Sequence, residues 1–264
     1  MNPKDLSTTI ARAPVPAGMS GAEWNMRCEL AALYRLVDHY GYADLLSSHI
    51  SARVPDQPDL FLVNPYGLLF EEVTASNLVK VDETGKIVAE SNYSFNPAGF
   101  VIHSCVHQAR PEVACVIHLH SRDSVGVATQ ACGLLPVTQH ALVIWDQIVY
   151  HDFEGPVFNA EEQQRILSDM GDKNIMIMRN HGTLVAGRTI AEAYVRMYRI
   201  ERACRMQIAA QAGGELKTLS QKVIDDSVET GRRIFSKGGF SPDGELEWAA
   251  MLRKLDRMGV PYAS

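Results

Sequence analysis

The chain has 264 residues, 46% of them apolar and 21% charged, with a formal net charge of −6. A chain of this size buries about three quarters of its unfolded surface, so it needs neither disulfides nor a structural metal to fold. The acidic balance and the absence of a basic stripe exclude nucleic acid as its main partner, and no run reaches the ~20 apolar residues that span a bilayer.

Five cysteines, without a C-x-x-C pair, read as reduced core thiols. The start, MNPKDLSTTIARAPVP, lacks the apolar core of a secretory signal. A cytoplasmic protein is expected. Residues 1–19 read as a flexible arm, and residues 20–264 as one domain with a helical extension from about residue 214.

Ser20 and Glu23 make an S-x-x-E capping box that opens the first helix. Trp24, Cys28, Leu30, Ala31, Leu33, Tyr34 and Val37 give it an apolar stripe, and Gly41 stops it. SHISARVP and DLFLVNPYG read as short strands with turns at Pro55–Pro58 and Pro65–Gly67. LVKVDETGKIVAES predicts a hairpin turning at Glu83–Lys86. Residues 98–109 predict a helix after Pro97, ended before Pro111.

A helix is expected at 121–131, and a strand or strand pair in ALVIWDQIVYH. Residues 160–170 predict a helix opened by Asn159 and closed by Gly171. NIMIM and TLVAG read as strands paired across an N-H-G turn. Thr189 and Glu192 form a second capping box, opening a helix to about Gly213 with apolar residues at 190, 193, 197, 200, 204 and 208. Strands flanked by helices, with no long linker, imply one α/β layered domain.

The chemistry concentrates in VACVIHLHS, residues 113–121. Strand alternation puts Val113, Cys115, Ile117 and Leu119 on one face and His118 and His120 on the other. Two imidazoles roughly 6.6 Å apart at Cα can converge on an ion bound at about 2.0–2.1 Å. With nine histidines in the chain, about 0.3 such pairs arise by chance, so the pair needs a partner. His181, in the turn MRNHGTLVAG, is the candidate third ligand. Three histidines with an open position match a catalytic zinc site. His103 and His107, four apart, share a face of the 98–109 helix. A neutral imidazole suits general-base work, so His103 is the candidate catalytic group and His107 is expected to face solvent. His140 and Tyr150-His151-Asp152 read as packing or loop structure.

The order RPEVACVIHLHS, then about sixty residues, then IMIMRNHGTLVAG and a capped long helix resembles the class II aldolase/adducin family, as does NPYGLLFEEVTASNLVKVD. The resemblance spans about residues 22–212. It implies a central, mainly antiparallel sheet flanked by helices on both faces, and a homotetramer. The family includes zinc-dependent fuculose-, rhamnulose- and ribulose-phosphate enzymes and the head domain of adducin. Its metal ligands map onto His118, His120 and His181, for Zn2+ first, with Fe2+ or Mn2+ as alternatives.

The departures carry information. Where the aldolases have Ser-Ser-Glu or Ser-Ser-Asp, this chain has Pro97-Ala98-Gly99, so the acid/base carboxylate is absent at Gly99. The usual G-N-x-S run reads Ser48-His49-Ile50-Ser51, and the Thr-Gly pair reads Tyr66-Gly67. His49, Tyr66 and Gly67 are thus the substrate-contact candidates, with fewer donors than a phosphate dianion needs. The resemblance, in its adducin-like branch, implies a metal-dependent lyase acting on a non-phosphorylated hydroxy- or keto-acid or sugar derivative. The alternatives are a non-haem Fe(II) oxygenase or decarboxylase, because aminocoumarin-pathway oxygenases are similar to this family, and a non-enzymatic adducin-like interaction module.

Overall fold

The computed structural model describes residues 13–155, 160–236, 238–239 and 241–264. Most of the expected arm and the proposed cap Asn159 lie outside the described residues. Ala13 is tied down, its N–H bonded to the Ala263 carbonyl at 3.1 Å.

Helix α1 (Gly21–His39) starts where expected, with the Ser20 hydroxyl accepting from the Glu23 N–H at 3.0 Å. Glu23 does not close the capping box. Its buried carboxylate takes Arg27 at 3.0 Å and Lys80 at 2.7 Å instead, because two cations stabilise a buried anion more than one N–H does. Strands β1 (His49–Val54), β2 (Gln57–Val63) and β3 (Val79–Asp82) form a meander. The expected hairpin after β3 shrinks to one bridge, Val81 to Ile87. The returning segment has Val88 and Ile87 exposed, so no apolar face holds it to the sheet.

Helix α2 (Pro97–Ala109) is capped by Asn96, strand β4 (Cys115–Leu119) follows, and α3 (Arg122–Ala128) is capped by Ser121. Residues 139–151 depart from expectation in their first half. Gln139–Leu142 is a short helix, α4, whose Ala141 N–H is held by the Thr138 hydroxyl at 3.2 Å, and only Ile148–His151 is strand β5. A threonine cap there overrides the β-branched run. Helix α5 (Ala160–Met170), strands β6 (Ile175–Met178) and β7 (Gly182–Gly187), and helices α6 (Ile190–Ala212), α7 (Gln221–Phe235) and α8 (Glu245–Met258) complete the chain.

The strands form one seven-stranded sheet in the order β3-β2-β1-β4-β7-β6-β5, antiparallel except for the β5–β6 pair. Helices cover both faces. Cys115, Ile117 and Leu119 of β4 pack with α1 and α6 in the larger core. Val116, on the opposite face, packs with Ile102 and Val106 of α2 and Ile166 of α5. The predicted alternation therefore holds from Cys115 to Leu119 and leaves His118 on the α2 face, whereas Val113, before the strand, packs with Val116 instead of with Cys115. No helix among the described residues is long and apolar enough to cross a membrane.

Candidate metal centre

Register brings the site together. In the β1–β4 ladder His49 lies opposite His118, and in the β4–β7 ladder Leu119 lies opposite Thr183. The turn between β6 and β7 then delivers His181. Asn180 adopts φ 56° there, a left-handed conformation that Asn tolerates. A Cβ at Gly182 would sit 2.2 Å from the Leu119 carbonyl and 3.0 Å from His120 Cδ2. Only glycine lets the turn approach β4 this closely, which explains the N-H-G sequence.

One nitrogen each from His118, His120 and His181 lies within 4.8 Å of the others. Ring centroids are 4.7–4.9 Å apart around the triad. His118 is 1% exposed, and burial holds its imidazole well below the ordinary histidine range. Burial also lowers His120, against the pull of Asp44, and pushes His181 down to about 4. The three rings are neutral at neutral pH and available as ligands.

The donors fit a cation. His118 Nδ1 lies 3.0 Å from the Thr183 carbonyl, which can only accept, so the ring proton is on Nδ1 and Nε2 carries a lone pair. His120 Nδ1 faces the Asp44 carboxylate at 3.7 Å, beyond hydrogen-bond distance. The two Nε2 atoms are 2.8 Å apart. That spacing lets the pair share a proton, with His120 donating to His118, or turn toward a common cation. Ligand nitrogens on a tetrahedral ion at 2.0–2.1 Å are about 3.3 Å apart, so a small ring rotation suffices.

Beneath the triad sits Glu201, which sequence reasoning missed. Its carboxyl is 1% exposed and accepts from the hydroxyl of Ser121, next to His120, and from the Thr183 hydroxyl at 3.4 Å. Burial pushes it up to about 7. Glu201 interrupts the apolar pattern of α6 between Ile200 and Cys204, and that interruption was the available signal. Asp44 and the Thr183 carbonyl carried none, because the loop before β1 and the β4–β7 register bring them in.

Beside the triad opens a cleft of about 270 Å³, lined among others by His49, Tyr66, Asn96, Gly99 and the three histidines. Tyr66 is half exposed on its rim, whereas Gly67, at φ 98°, turns the chain and does not line it. His103, the expected catalytic group, is 1% exposed and lies behind His49, its Nε2 2.7 Å from His49 Nδ1. His107 does not face solvent. It is 1% exposed, stacked on Phe61 with ring centroids 4.7 Å apart and bonded to Ser51 at 2.8 Å. The apolar side of the sheet outcompetes water for that helix face.

Residues 28–208 match the family model for the class II aldolase and adducin N-terminal domain. A Caulobacter vibrioides protein named for class 2 aldolases is 46% identical over 246 residues, 93% of this chain and 94% of its own length. Mouse alpha-adducin is 38% identical over 252 residues, covering 90% of this chain but only 34% of the adducin. The crystal structure of an aldolase II superfamily protein from Pseudomonas syringae superposes with a TM-score of 0.89 at 41% identity, over 94% of this chain and 98% of that one. An L-fuculose 1-phosphate aldolase from Glaciozyma antarctica shares the fold, with a TM-score of 0.79 at 24% identity over 95% of this chain and 96% of that one. The chain belongs to the class II aldolase and adducin family.

Proposed function

We propose that the protein is a cytoplasmic, metal-dependent lyase acting on a non-phosphorylated hydroxy- or keto-acid or sugar derivative. The observation that carries this reading is the cluster of His118, His120 and His181, one nitrogen of each within 4.8 Å of the others, with His118 oriented by the Thr183 carbonyl. Together they would hold Zn2+, or Fe2+ or Mn2+ in its place. Such an ion polarises a substrate carbonyl and stabilises the negative charge that develops on it.

The chain's own residues favour a small carboxylate over a phosphate. Among the described residues no lysine or arginine lines this cleft, and Arg122 lines only the adjoining one on the other side of His120 and His181. A phosphate dianion needs several donors or a cation to replace its water. The first turn of α2 faces the cleft through Asn96, Ala98 and Gly99, a favourable end for one negative charge. Tyr66 stands at the rim to close over the ligand. A homotetramer is part of the same reading, and light scattering tests it.

The test is turnover of a panel of hydroxy- and keto-acids and sugar acids by protein reconstituted with each metal. The reading predicts cleavage that is abolished by chelator and by His181→Ala. The similarity to adducins supports a second reading, an interaction module with an inherited site. Absence of turnover with every metal, in protein that still binds zinc, would favour it.

A further inference from the structure

We infer that His49 is the proton acceptor of this site, and that His103, Ser51 and His107 form a buried positioning chain that keeps its Nε2 unprotonated. The inference deepens the lyase reading and rests on it for the reaction, but the geometry stands alone. The chain starts at a backbone carbonyl. His107 Nδ1 lies 3.2 Å from the Val113 carbonyl, an acceptor without a proton, so His107 carries its proton on Nδ1. The ring is buried and neutral, so its Nε2 accepts, and among the described residues its donor is the Ser51 hydroxyl at 2.8 Å.

Ser51 has now used its one proton. Its oxygen therefore accepts from His103 Nδ1 at 2.7 Å, and His103 Nε2 is left as an acceptor. That acceptor faces His49 Nδ1 at 2.7 Å, so His49 donates there. By elimination His49 Nε2 holds a lone pair. The links follow from one carbonyl that can only accept, with each of the three imidazoles carrying a single proton.

The lone pair lies at the cleft. A Cβ at Gly99, a cleft residue, would sit 2.6 Å from His49 Nε2 and 2.5 Å from its Cδ2. The imidazole edge thus fills the space that a side chain at position 99 would take, which is why glycine stands there. His49 also packs on His118 with ring centroids 4.9 Å apart. It is not in the group of ligand nitrogens within 4.8 Å of one another, which contains His118, His120 and His181. It sits beside the triad as a base would, rather than in it.

The step balances without a further reagent. The substrate's hydroxyl O–H bond breaks and its proton passes to His49 Nε2. The oxygen's electron pair forms a carbonyl as the adjacent carbon–carbon bond breaks. That bond's pair enters the neighbouring carbonyl of the substrate as an enolate, and His49 returns the proton to the enolate carbon. The hydrogen bond from His49 Nδ1 to His103 persists throughout.

The test begins with nitrogen NMR of metal-free protein carrying 15N-labelled histidine, assigned by single substitutions. His49 is expected to show a pyridine-like Nε2 and a pyrrole-like Nδ1, and Ser51→Ala is expected to return it toward the Nε2–H form. A protonated His49 Nε2 in the parent protein, or no change in Ser51→Ala, overturns the chain. The second variant, His49→Asn, keeps a donor toward His103 and removes the lone pair. It should retain zinc affinity within about threefold and lose about 10²–10⁴ in kcat, with KM little changed. A zinc affinity weakened more than about tenfold would make His49 a ligand and overturn the inference. A parent protein that binds no zinc would instead defeat the lyase reading, and the NMR result would still decide the chain.

Discussion

Gly99→Ala tests the packing of the site most directly. The added Cβ would lie 2.5 Å from His49 Cδ2 and 2.6 Å from its Nε2, almost an ångström inside ordinary contact. The ring cannot swing freely, since His103 holds its Nδ1 at 2.7 Å and His118 packs against its face. Overpacking of this kind costs about 1–3 kcal/mol. Alanine regains at most about 1 kcal/mol of helix propensity, less in the first turn of α2. A net loss of about 1–2 kcal/mol is expected. In a His49→Ala background the clash partner is gone, and the same substitution should be neutral or mildly stabilising. The double-mutant cycle then gives a coupling of about 2 kcal/mol. Urea unfolding of the four metal-free proteins measures it. Additivity within about 0.5 kcal/mol would refute the claim that the His49 ring occupies the space at position 99.

Three further outcomes are expected. Burial pushes His107 down to about 3 from the ordinary 6.5, so the unfolded state binds its proton first. The stability this contributes is present above pH 6.5 and is lost as pH falls toward 3, by up to about 5 kcal/mol. Urea midpoints from pH 7 to 4 should fall less steeply in His107→Asn. Glu201 behaves oppositely: raised to about 7 from 4.5, it favours folding below pH 4.5 and loses that contribution as pH rises through 7. Glu201→Gln should therefore gain up to about 3 kcal/mol relative to the parent at pH 8.5 and almost nothing at about pH 4, read from thermal melts. Glu23→Ala should cost about 3–5 kcal/mol by calorimetry, because it strands the buried Arg27 and Lys80 without their shared carboxylate.

Much of this was legible in the chain itself. The alternation around His118 and His120, the N-caps at Ser20 and Thr189, and the N-H-G turn are local signals that local chemistry built. Neither capping box closes, because Glu23 turns to Arg27 and Lys80 and Glu192 to Arg188 and Arg196. Where competition between neighbours decides, reading failed. The threonine cap at 138 turned an apolar run into a short helix, and burial against Phe61 drew in His107. The second layer of the site was illegible for a different reason. Asp44, Ser51, Thr183 and Glu201 meet the histidines only through the loop before β1, strand register and helix packing, distances in sequence that no pattern encodes. The loss of a carboxylate at Gly99 was visible, but its counterpart, the imidazole of His49 in the same space, was not.

The measurement that bears most directly on the metal centre is metal content per subunit by plasma mass spectrometry after zinc reconstitution, on the parent protein and on the His118→Ala/His120→Ala double variant. The account predicts one ion per chain in the parent and none in the variant, with both proteins folded. No bound ion in the parent, or equal content in the two, would contradict it.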